Sequence, residues 1–138
     1  MVGRRPLWWS LAGLCAAWLL WMTLRPNQTV ATDLAVLTAP AAARGLSLHL
    51  LIDIVGNIVV FVPLGATLTL ALRGGLGRRL LLATGGGAAL SLFIELAQMA
   101  QPSRVSSWED WLLNVVGAFG GAVATCVALR REDVCRTN

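Results

Sequence analysis

Asp-Ile-Val-Gly-Asn-Ile-Val-Val-Phe-Val-Pro-Leu-Gly, residues 53–65, is an apolar run that carries an acid at Asp53 and a carboxamide four positions on, at Asn57. It lies within a longer apolar segment, about 48–72. As a helix that segment crosses the ~30 Å hydrocarbon layer of a bilayer, which takes about 20 residues. A charged side chain inside such a span costs roughly 2.5–3.5 kcal/mol on insertion scales, so it marks a functional-site candidate.

Three more segments read the same way: about 7–24, about 80–100 and about 111–129. Of the 138 residues 57% are hydrophobic and 13% charged, with a mean hydropathy of +0.70. The expected fold is all-α: a polytopic four-transmembrane-helix bundle forming one transmembrane domain over 1–138. Residues 25–47, with Pro26 and Pro40, form the one long connection, and 73–79 reads as a tight turn. The N-terminus resembles a secretory signal, but the run of 18 apolar residues from Leu7 to Leu24 exceeds a usual signal core and lacks a small-x-small cleavage site. It reads as a retained first helix.

All basic residues are Arg, and the net charge is +4. They flank the apolar runs instead of forming a stripe, which argues for topology determinants and against a nucleic-acid surface. Arg4, Arg5, Arg73, Arg78, Arg79, Arg130, Arg131 and Arg136 fall on one side, and Arg25, Arg44 and Arg104 on the other. Eight against three predicts cytoplasmic N and C termini, and so a multi-pass protein of a cytoplasm-facing membrane. Trp8, Trp9, Trp108 and Trp111 then belong near the two interfaces.

The polar residues share depth and face. Asp53 and Asn57 are spaced i, i+4; Ser91, Glu95 and Gln98 are i, i+4, i+7; Asp110, Asn114, Gly117 and Gly121 continue at the same period. With the predicted orientation all fall in the outer half of their helices. Facing one another they would line a polar pocket open to the extracytoplasmic side, with Arg104 in the loop beside it. Gly117-xxx-Gly121 and Gly87-xxx-Ser91 allow close backbone approach, while Pro63, followed by Gly65, predicts a kink. Plainer roles stay open: Asp110 as a helix cap, Asn57 and Asn114 as interhelical bonds, Asp53 as a hydrated interfacial acid. Glu95, flanked by Ile94 and Leu96, is hardest to explain that way. No metal or cofactor site is expected. His49 is the lone histidine, and Cys15, Cys126 and Cys135 form no CxxC.

These residues in this order resemble the VanZ-like family of small bacterial membrane proteins. The likeness runs over about 48–122. It rests on Asp53, Asn57, Phe61, Pro63 and Gly65, on Ser91, Glu95 and Gln98, and on Arg104, Asp110, Asn114, Gly117 and Gly120. The resemblance implies a place in the cell envelope and a link to low-level resistance to teicoplanin, a lipid-tailed glycopeptide; it implies no particular reaction. The expected function is a non-catalytic binding or accessory module that meets membrane lipids and a lipid-linked or glycopeptide ligand. Two alternatives remain: a small accessory subunit of a larger membrane complex, and an enzyme acting on a lipid-linked envelope substrate. For the enzyme, paired carboxylates could serve as acid and base, but no activated Ser or Cys and no pocket histidine accompany them.

Overall fold

The structure, a computed structural model, describes residues 5–24, 48–99 and 108–137. Four helices form among them: α1 (Arg5–Thr23), α2 (Leu48–Ala71), α3 (Leu76–Met99) and α4 (Trp108–Thr137). No strand occurs among the described residues. Each helix holds an apolar stretch long enough to cross a membrane. Arg25, Arg44 and Arg104 lie outside the described residues.

Two boundaries depart from the sequence reading. The turn after α2 occupies only 72–75, because α3 starts at Leu76 and takes Gly77, Arg78 and Arg79 into its first turn. Gly74, at φ +107, makes this reversal in the left-handed region that glycine enters without steric cost. Arg79 explains why the helix can start on basic residues: its Nε donates to the Thr69 carbonyl at 2.7 Å. That puts a cation on the open C-terminal carbonyls of α2, the negative end of its dipole. The second departure is α4, which exceeds 111–129 at both ends. Glu109 and Asp110 in its first turn complement the positive end of the helix dipole.

Side-chain contacts fix the helix directions. A Cβ on Gly117 would strike the Ile58 carbonyl and one on Gly121 the Val62 carbonyl, so α2 and α4 run parallel. Ser91 bonds Asn114 and Gly87 faces Ala118, so α3 runs antiparallel to α4. The α2–α4 contact is the most extensive in the bundle, while α1 packs mainly on α2. Three glycines make the close approach possible: Gly65 sits against the Ala118 carbonyl, reciprocating Gly117 and Gly121. Helix α2 continues through Pro63, whose ring faces outward.

The core is a small cluster of Leu19, Phe61, Leu64, Ile94 and Ala118. Many large apolar residues face outward instead, among them Leu14, Val59, Leu81, Phe93 and Phe119. In water that surface would be an aggregation hazard; in a bilayer it is the lipid contact. Several hydroxyls inside the spans fold back on their own helices, while the buried Thr84 hydroxyl has no partner among the described residues. Thr69 donates to the Gly65 carbonyl at 2.8 Å, Thr125 to Gly121 at 2.9 Å and Thr23 to Leu19 at 2.7 Å.

Candidate functional site

One end of the bundle gathers the C-terminal turns of α1 and α3 and the N-terminal turns of α2 and α4. The polar residues of the spans concentrate there. On α2, the Asn57 Nδ2 donates to Asp110 Oδ1 of α4 at 3.0 Å. One turn further along α4, the Asn114 Nδ2 donates to Ser91 Oγ of α3 at 2.9 Å, a buried contact. The pairs chain α2 to α4 to α3. Such bonds form because, in hydrocarbon, a carboxamide has no water to turn to.

Glu95 stands one turn beyond Ser91 on the same face of α3 and is only 6% exposed, turned into the bundle and away from lipid. Its neighbours Leu96 and Phe93 face outward, as the helical period requires. Glu95 and Asp110 are both engaged by surrounding groups. Gln98, 8% exposed, sends its Nε2 to the Thr23 carbonyl at 3.0 Å. Thr23 ends α1, so this bond satisfies a carbonyl with no donor in its own helix and draws α1 to the polar end.

At this end of the bundle one buried acceptor remains among the described residues. Asn114 Oδ1 is buried and has no hydrogen-bond partner among the described residues. A buried carbonyl oxygen left open costs about 1–3 kcal/mol, and it is a natural acceptor for an incoming N–H or O–H group. Asp53 lies one turn before Asn57 on α2, with its side chain outside the described residues, and Arg104 falls outside them altogether. Phe61 is core, and Gly65, Gly117 and Gly121 are the backbone contacts of α2 and α4.

Sequence reasoning missed two participants. Trp111 is half-buried and not simply interfacial: its Nε1 donates to the Ala88 carbonyl of α3 at 3.1 Å. An indole N–H between Asp110 and Asn114, in an apolar run, needs an acceptor, and that was the available signal. The Thr23 carbonyl carries no signal at all, because a backbone acceptor looks the same at every position.

Comparison with known proteins gives one family. The family model described as VanZ/LLP1 matches residues 9–129. The match takes in most of α1 and nearly all of the membrane part of α4, well beyond the 48–122 stretch that carries the recognisable motifs. No curated protein and no solved structure matches the chain significantly.

Proposed function

The chain belongs to the VanZ/LLP1 family, and from that premise we propose that it is a binding or accessory module of the bacterial cell envelope, without catalytic chemistry of its own. The reading rests on one observation above others: Asn114 is pinned through its amide to Ser91 while its buried carbonyl oxygen has no partner among the described residues. An acceptor held in place and left unsatisfied suits a ligand that brings hydroxyl or amide donors, such as a sugar or peptide headgroup. Glu95, Gln98, Asn57 and Asp110 supply the polar surroundings, and Asp53 and Arg104 complete the proposed set. Arg104 would pair an anionic group of the ligand bidentately.

Sidedness follows from charge. Arg5, Arg73, Arg78, Arg79, Arg130 and Arg131 all belong to the end opposite the polar pairs. Under the positive-inside rule that end is cytoplasmic, so the polar end opens outward. A lipid-tailed ligand would reach it from the outer leaflet, its tail along the apolar flanks and its headgroup among the polar residues. Reduced access of a lipid-tailed glycopeptide such as teicoplanin is one phenotype of that binding.

The test is expression in a susceptible bacterial host, with Asn114→Leu, Glu95→Gln and Arg104→Ala compared with the parent chain. Loss of protection against teicoplanin, with membrane levels unchanged, is the expected result. Full protection by all three variants would remove the reading. Co-migration with a larger complex on native gels would favour an assembly subunit instead.

A further inference from the structure

We propose that the groove between the first turn of α3 and the last membrane turns of α4 is a site for one anionic phospholipid. The groove lies at the arginine-rich end, opposite the polar pairs, and does not depend on what those pairs bind. Leu76, Gly77, Leu80, Cys126, Val127 and Arg130 line a cavity of about 190 Å³. Its walls are apolar except at one edge, where Arg130 is exposed. That is the layout of an acyl chain with a headgroup: a greasy slot ending in a guanidinium.

Three observations point to a phosphate-bearing lipid. First, the space beside Gly77 in the slot is empty, since a Cβ there would meet nothing within 4 Å. Second, the slot has a fixed back wall, because the Cys126 thiol donates to the Leu76 carbonyl at 3.7 Å and ties α3 to α4. Third, among the described side chains the charges at this edge are positive: Arg130 lines the groove, Arg78 and Arg131 are exposed next to lining residues in sequence, and no acid is among the lining residues. The first amides of α3, those of Leu76 and Gly77, add the positive end of a 24-residue helix. Basic recesses between transmembrane helices on the cytoplasmic side hold anionic headgroups by this combination.

Native mass spectrometry of the full-length protein in detergent tests the assignment, with phosphatidylglycerol and phosphatidylcholine of equal chain length as the probes. One phosphatidylglycerol is expected to stay bound per protein, with phosphatidylcholine retained several-fold less. Arg130→Ala should weaken phosphatidylglycerol roughly fivefold, the effect of one arginine at an anionic surface. Gly77→Leu fills the slot and should abolish retention of both lipids. Arg73→Ala removes an exposed charge outside the groove and should change nothing. Equal retention of the two lipids, or unchanged retention in both groove variants, overturns the proposal. Arg130 is exposed, so its variant reports even if Gly77→Leu disturbs the fold.

Discussion

The Asn57 amide and the Asp110 carboxylate meet at 3.0 Å across the α2–α4 contact. Asp110 is therefore more than a charge at a helix start: it sits in the first turn of α4 and also receives a bond from another helix. Side-chain bonds between membrane helices average about 0.6 kcal/mol and reach about 1.7 kcal/mol, because the separated helices also find polar partners. A double-mutant cycle with Asn57→Ala and Asp110→Ala should give a coupling in that range, read from unfolding in mixed micelles. Additive effects would show that the contact contributes nothing.

The glycines of the α2–α4 contact should tolerate no side chain. Gly65→Ala, Gly117→Ala and Gly121→Ala each drive a methyl into an opposing carbonyl and are expected to cost about 1–3 kcal/mol. Gly120→Ala is the matched control, since its Cβ meets nothing within 4 Å, and should stay within about 0.5 kcal/mol. Tryptophan fluorescence during unfolding provides the readout, as both α1 and α4 carry indoles.

Ser91→Ala removes the acceptor of a buried amide and leaves Asn114 with neither of its polar atoms satisfied among the described residues. The expected loss is about 1–3 kcal/mol, measured in the same unfolding assay. A loss below about 0.5 kcal/mol would mean that Asn114 finds another partner on the spot.

Arg79→Ala should destabilise the α2–α3 hairpin by about 1–2 kcal/mol, since a charged donor leaves the open Thr69 carbonyl. Arg78→Ala, at an exposed neighbour, should be near neutral. Hydrogen exchange of the last-turn amides of α2 separates the two: faster exchange is expected only in the Arg79 variant.

Four membrane-length helices were legible in the sequence because lipid demands long apolar runs and punishes interruptions. The polar residues were legible for the same reason: Asn57, Ser91, Glu95 and Asn114 stand out against such a background. Boundaries were less so. Gly77, Arg78 and Arg79 read as turn by composition, yet they are helical because Arg79 has a carbonyl of α2 to hold. Gly65 reads as an accessory to Pro63, but its importance is the Ala118 backbone facing it, which no local pattern encodes. The Gln98 bond to Thr23 was illegible for the reason already given for backbone acceptors.

The closest packing in the molecule joins the second helix to the fourth and skips the third. During synthesis the first three helices can enter the bilayer, but Asn57, Gly65 and Ser91 then lack the surfaces they fit. Closure waits until α4 has left the ribosome, and a chain truncated before Trp108 would be left as an open hairpin for membrane quality control to remove.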